Sequence, residues 1–244
     1  MALKRVLLSW SSGKDSAWAL RSLRRDRQIE IAALLTTFNG AFDRVAMHAV
    51  RRALAREQAA CVGLPLWEVD LPWPCSNEQY ESCMRAVIER ARAENIHATA
   101  FGDLFLEDIR AYRERQLAGT GIEPLFPLWR IPTPELAREM MQAGLKAKVT
   151  CIDPKKLDRS FAGADYDAAF LQRLSADIDP CGENGEFHTF VYDSPEFSRS
   201  IPVITGEVVE RDGFVFADCI RPGMDDVPTD CASRTSRFDN RRDT

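Results

Sequence analysis

The chain has 244 residues, 45% of them hydrophobic, and a formal net charge of −5 at pH 7, enough apolar material for one large core or two modest ones. No long basic block is present, which argues against nucleic acid held by charge alone, and no apolar run approaches the roughly 20 residues of a membrane span. Seven scattered cysteines form no Cys-x-x-Cys pair; this spacing argues against a zinc ribbon or a disulfide framework and fits reduced thiols in a cytoplasmic protein.

Strand-like and helix-like segments alternate from the N-terminus. Val6–Trp10 predicts a buried strand and Ser16–Arg27 a helix, with Ala17, Leu20 and Leu23 at helical spacing. Ile29–Thr37 predicts a second strand and Arg44–Val62 a second helix. Leu66–Leu71, Glu78–Asn95 and Ala98–Gly102 continue as strand, helix and strand. Such alternation implies a parallel sheet with crossover helices. After Asp103 the rhythm changes. Leu106–Leu117 reads as helix, "GTGIEPLFPLWRIPTPE" is rich in Gly and Pro, and a helix restarts at Thr133-Pro134. Leu145–Ile152 predicts a strand and Tyr166–Leu174 a helix. "DIDPCGENGEFHTFVYD" begins as loop and ends as strand. Val203–Arg211 and Phe214–Ile220 form a hairpin around Asp212-Gly213. The division expected is an α/β domain over 1–104, a smaller α+β domain over 105–222 and a loose polar tail over 223–244.

Between the first strand and helix stands Ser11-Ser12-Gly13-Lys14-Asp15-Ser16. It is not a Walker A loop, because Leu8 replaces the first glycine and Asp15 the hydroxyl residue after the lysine. A dinucleotide fingerprint fails too, with one glycine present. Small residues between strand and helix still suit a phosphate: backbone N–H groups approach closely and the helix dipole adds to them. Ser11, Ser12 and Ser16 offer hydroxyls, Lys14 a point charge, and Asp15 a carboxylate for Mg²⁺ beside the phosphates. The plainer reading is a Ser-Gly turn opening a helix.

SSGKDS resembles the PP-loop of the ATP pyrophosphatases, usually Ser-Gly-Gly-x-Asp-Ser, with Ser12 at a glycine position. "FGDLFLEDIRAYRE", "EPLFPLW" and "DPCGENGEFHTFVYD" follow in that order. Together the four motifs resemble the diphthine–ammonia ligase family, from about residue 4 to residue 220. The resemblance implies a Rossmann-like ATP domain and a reaction in which ATP adenylates a carboxylate and ammonia then forms the amide, releasing AMP and pyrophosphate. Its implied partners are ATP, Mg²⁺, ammonia and an unidentified carboxylate acceptor, a protein-borne one included; a homodimer is allowed.

Candidate residues follow from the motifs. Trp10, Ser11, Ser12, Gly13, Lys14, Asp15 and Ser16, with Thr36, Thr37, His48 and Gly102, are the ATP candidates, and Asp15 and Asp103 the metal candidates. Asp103 ends a parallel strand, where ligands of open α/β sheets bind; a helix-capping Asp is the alternative. Arg110 and Glu114 share a helix face with Arg113 and are placed toward the acceptor, beside the packing residue Trp129 and the turn glycines Gly182 and Gly185. Glu183, Glu186 and His188 form the densest chemistry. If Glu186 opens a strand, it shares a face with His188, and Glu183, Glu186 and His188, with Lys14 and Asp15, are assigned to catalysis and ammonia. A sulfur-transfer or nucleotide-modifying enzyme with Cys181 as thiol, or a non-catalytic ATP-binding protein, remains the alternative.

Overall fold

The protein is described by a computed structural model over residues 3–223. The expectation for the tail, Gly223 aside, lies outside the described residues. Two sheets organise the chain. In the first, β4 (Leu66–Leu71), β2 (Ile29–Asn39), β1 (Lys4–Ser9), β5 (Ala98–Ala100) and β6 (Glu123–Leu125) lie parallel in that order. The second is antiparallel: β8 (Phe187–Asp193), β7 (Lys146–Ile152), β10 (Phe214–Ile220) and β9 (Ile204–Arg211). The parallel α/β part and the smaller α+β part match the fold class expected.

Successive β1 residues serve opposite faces, as the period of two requires. Val6 and Leu8 join one core with Ala17, Leu20 and Leu23 of α1 (Lys14–Arg25); Leu7 joins another with Ala91 of α3 (Asn77–Ala93) and Leu117 of α4 (Glu107–Leu117). The helix after β1 therefore covers one face and the helix after β5 the other. Neighbouring strands whose connections leave in opposite directions open a crevice at their carboxyl ends, the ordinary ligand position of such sheets. Loop 10–13 and the Gly102–Asp103 corner meet there.

Two expectations need correction. The helix predicted over Arg44–Val62 begins only at Arg52, as α2 (Arg52–Val62). Before it, β3 (Arg44–Val45) pairs antiparallel with Phe38–Asn39, and Met47 and Ala49 take φ of 64° and 55°. Arg44 and Arg51 both reach Asp218 of β10 at 2.7 Å, which holds this hairpin-like turn against the second sheet. Val45 and Ala49 match helical spacing by coincidence. Secondly, the Gly/Pro-rich stretch contains a strand, β6, which pairs parallel with β5. Its three residues include Pro124, which an edge strand tolerates and which hides it from a pattern search.

The remaining elements follow their local chemistry. Ser76 and Gln79 form a reciprocal capping box that starts α3. α5 (Thr133–Gln142) carries Pro134 in its first turn, and Asp167 caps α6 (Ala168–Arg173) through the Phe170 N–H. The β9–β10 turn has Asp212 and Gly213 at φ 52° and 82°, the pair of left-handed residues that a two-residue hairpin needs.

Candidate functional site

The loop leads into an α1 N-terminus that its N-cap, Gly13, does not cap with a side chain. Lys14 N–H donates instead to Thr189 Oγ1 of β8 at 3.1 Å, and the Asp15 and Ser16 N–H groups of the first turn have no intrahelical acceptor. Ser11 Oγ lies 3.2 Å from Ser16 Oγ, and Ser16 Oγ donates to Gly13 O at 2.9 Å. Ser12 is fully buried, sits at φ 69°, and its hydroxyl has no partner. A left-handed serine is strained, which is why glycine is usual at such a position. Gly102 has no room for a side chain: a Cβ would lie 3.0 Å from the Asp15 carbonyl carbon and 3.1 Å from Ser16 N. The end of β5 thus rests directly on the loop.

One residue absent from the motif list organises this region. Gln58 of α2 is wholly buried. Its Oε1 accepts the Trp10 indole N–H at 2.9 Å, and its Nε2 donates to Ser12 O at 3.0 Å and Val191 O at 2.6 Å. Val191 N–H also donates to Ser12 O at 3.0 Å. β8 of the second sheet is therefore pinned to the strained loop residue. An isolated glutamine inside an Ala-rich helix carries no sequence signal for this role.

Lys14 does not present its ammonium to the open face of the loop. Its side chain is 2% exposed; Nζ bonds Asp15 Oδ2 at 2.8 Å and the Cys181 carbonyl, and lies 5.6 Å and 5.3 Å from the Tyr166 and Phe187 ring centres. Burial opposes its charge, but Asp15, Cys181 and Glu183 outweigh that and hold the amine above its ordinary pKa. Lys14 thus ties α1 to the 179–186 turn. Asp15 Oδ1 and Asp103 Oδ2 are buried without hydrogen-bond partners, and burial raises both carboxyls. Asp103 caps no helix, since the residue before α4 is Leu106. Its carboxylate stands 3.7 Å from Arg113 Nε.

The 179–186 turn is closed by its own polar groups. Gly182 and Gly185 take φ of 69° and 79°, and a Cβ on Gly182 would meet Phe187 O at 2.8 Å. Asp179 Oδ2 accepts the Glu183 N–H at 2.8 Å. Glu183 Oε1 accepts the Leu104 N–H at 2.7 Å, so the turn clamps the β5–α4 corner. Burial pushes the Glu183 carboxyl up to about 7. Glu186 and His188 do not act side by side. Glu186 precedes β8 and its Oε1 turns back to Asp179 N and Asn184 Nδ2, at 3.3 Å and 3.0 Å. His188 stacks with His48 instead, ring centres 4.4 Å apart. His48 lies in the turn after β3, near Gly13, not in a helix. Burial drives the His188 pKa down to about 4 and that of His48 well below its ordinary value, so both rings are neutral at pH 7.

A cavity of about 870 Å³ opens at the strand ends, lined by Trp10, Ser11, Thr37, Ala46, Met47 and His48 on the loop side. Thr36 points away and its hydroxyl donates to Trp10 O at 2.7 Å. Arg113 lines the cavity. Arg110 and Glu114 do not: they pair at 2.8 Å, with Arg110 over the Phe126 and Trp129 rings at 4.8 Å from each. Trp129 belongs to that aromatic packing and not to the cavity wall. Helical spacing puts 110, 113 and 114 on one side; only the position of Asp103 selects Arg113.

The gathered geometry is a helix start without a side-chain cap, two half-buried carboxylates that each keep one oxygen without a hydrogen bond, and a glutamate raised to about 7, beside a cavity of about 870 Å³. The family model for the diphthamide synthase N-terminal domain matches residues 4–124, and that for its C-terminal domain matches residues 132–217. The chain belongs to the diphthamide synthase family. The gap between the two matches falls just after β6, in agreement with the continued sheet. A diphthine–ammonia ligase of Mus musculus is 28% identical to this family member, over 87% of this chain and 88% of the mouse protein. Proteins of the same name from Rattus norvegicus and Homo sapiens are 28% and 26% identical over 59% of the chain, which spans 55% of each of them. No helix among the described residues is long and apolar enough to cross a membrane.

Proposed function

We propose that the chain is an ATP-dependent ligase of the diphthine–ammonia ligase type. A substrate carboxylate oxygen attacks the α-phosphorus of ATP, the α–β bridging bond breaks, and pyrophosphate leaves. Ammonia then adds to the acyl carbon of the acyl-adenylate, and AMP departs with formation of the amide and loss of one proton. The observation that carries this reading is the α1 start: the first-turn backbone of Asp15 and Ser16, which has no intrahelical N–H acceptors, packs closely on Gly102 beside Asp15 Oδ1 and Asp103 Oδ2, neither of which accepts a hydrogen bond. That arrangement fits a polyphosphate and its counter-ion.

Asp15 and Asp103 would hold Mg²⁺; among the described residues no three metal-ligating side chains converge, so phosphate oxygens complete the set, as is usual for this ion. The ion supplies charge neutralisation for the leaving pyrophosphate. Lys14 fixes the Asp15 carboxylate and the 179–186 turn. Glu183, near 7, is matched at neutral pH to accept the proton that the nitrogen loses as ammonia adds to the acyl carbon. In this reading the nucleotide part runs through β6 and residues 132–217 form the part facing it.

Thiol chemistry is disfavoured: burial pushes the Cys181 thiol up to about 12, and Sγ faces Thr133 O. The test is product analysis. Protein incubated with ATP, Mg²⁺, ammonium and candidate acids is expected to form AMP and pyrophosphate, and Asp103→Asn to lose most of that turnover. Formation of ADP contradicts the proposal.

A further inference from the structure

Among the described residues β8 ends its sheet and pairs with β7 on one side only. A sheet edge presents a row of N–H and C=O groups that need cover. Here the phosphate loop and its neighbours supply it. Every second residue of β8 meets that cover. Phe187 O lies against Gly182, and Thr189 O against Gly13. Val191 donates its N–H to Ser12 O and accepts from Gln58 Nε2 through its carbonyl. Gly13 serves by its size and not by its backbone angle. Its φ of −89° is open to any residue, but a Cβ would stand 3.2 Å from Thr189 O and 3.3 Å from Ser11 Oγ. Lacking a side chain, Gly13 cannot cap α1. The buried Thr189 hydroxyl reaches across from the second sheet and accepts the Lys14 N–H, the first of the helix.

We propose that Thr189 is a positioning residue for the nucleotide's phosphates, acting through a helix cap supplied from the other sheet. The inference rests on the polyphosphate reading of the α1 start given above. An ordinary N-cap side chain bonds the second or third N–H of its helix, and its oxygen would compete there with a phosphate. Thr189 takes the Lys14 N–H instead and fixes the Gly13–Lys14 peptide from outside the loop. The next two N–H groups, of Asp15 and Ser16, have no intrahelical acceptor and are left for phosphate oxygens. The wholly buried Ser12 hydroxyl and Asp15 Oδ1 flank the capped peptide and have no partner; a ligand would engage them as well. The first sheet thus supplies the donors, and the edge of the second sets their geometry.

The probe is α,β-methylene-ATP with Mg²⁺, titrated calorimetrically into the full chain and its variants. Thr189→Val keeps the side-chain volume and removes the acceptor; its Kd for the analogue is expected to rise roughly tenfold, the contribution of one N-cap bond. Thr189→Ser keeps the hydroxyl and should stay within about twofold of wild type. Amide hydrogen exchange without the analogue locates the cause. In Thr189→Val the Lys14–Ser16 amides should exchange faster, while those of the β7–β8 ladder keep the wild-type rate. Thr189→Ala serves if thermal melting shows the valine variant unfolded. Wild-type affinity in Thr189→Val, an equal loss in Thr189→Ser, or faster exchange throughout the ladder overturns the inference and leaves Thr189 a packing residue. Failure of the wild-type chain to bind the analogue overturns the ATP reading itself, and this inference with it, so the two failures are told apart.

Discussion

Ser12 shows how one residue records a function. A serine at φ 69° costs about 1–2 kcal/mol relative to glycine, and its buried hydroxyl finds no partner. Ser12→Gly is expected to raise stability by about 1 kcal/mol, after the larger unfolded-state entropy of glycine is counted; urea unfolding checks this, and a loss of stability would show that the hydroxyl is bonded. Glu183 is the second residue-scale case. Deprotonated above about 7, it accepts a proton only there, so the rate with ammonia should rise as pH passes through 7. In Glu183→Gln that limb disappears and turnover falls about 10²-fold; the limb at higher pH set by ammonium itself remains. A pH–rate profile unchanged by the substitution removes Glu183 from the proton transfer. The motif marked Glu183 and Glu186 alike. Only the hydrogen bonds separate them, since Glu186 closes its own turn while Glu183 faces Leu104 and the carboxylates of Asp15 and Asp103.

At the scale of elements, the decisive contact is α2 against the loop and β8. Gln58→Leu removes the partner of the Trp10 N–H and two donations to carbonyls. Unmade buried hydrogen bonds cost about 1–3 kcal/mol each, and Val191 still serves Ser12 O, so a loss of about 3 kcal/mol is expected. The distinguishing measurement is amide hydrogen exchange. Ser12–Ser16 should exchange faster in the variant if Gln58 positions the loop, and unchanged exchange there would reduce it to a packing residue. Elements with strong local signals were legible: α1 and α5 through their apolar period, α3 through its capping box, and the β9–β10 hairpin through its Asp-Gly turn. β3, β6 and the late start of α2 were not. Their structure depends on an edge partner supplied by β2 or β5 and on Asp218 of β10.

Across the whole molecule, the His48–His188 stack joins the two sheets through neutral rings. For a depressed histidine the unfolded chain binds more protons between the folded and unfolded pKa values, so stability falls as pH drops from about 6.5 toward 4. Glu183, raised, acts in the opposite sense between its ordinary value of 4.5 and about 7: its stabilisation is complete below that window and is lost as pH rises through it. The histidine contribution therefore appears in a difference. Relative to wild type, His188→Gln should lose on the order of 2 kcal/mol less stability over that acid range. Parallel urea-unfolding profiles for the two proteins at every pH would exclude the pair as a pH-dependent link.

The sequence by itself determined the alternating α/β plan, the phosphate loop after β1 and the order of the four motifs, because these depend on chemistry within a few residues: period, caps, glycine turns and hydroxyls beside a helix start. Only the tertiary structure decided where the charges go. Lys14 turns inward to the 179–186 turn, Arg113 rather than Arg110 meets Asp103, and His188 meets His48 rather than Glu186. Each of these partners lies on another element, and burial ties a charged or polar group to whichever partner the packing brings within reach.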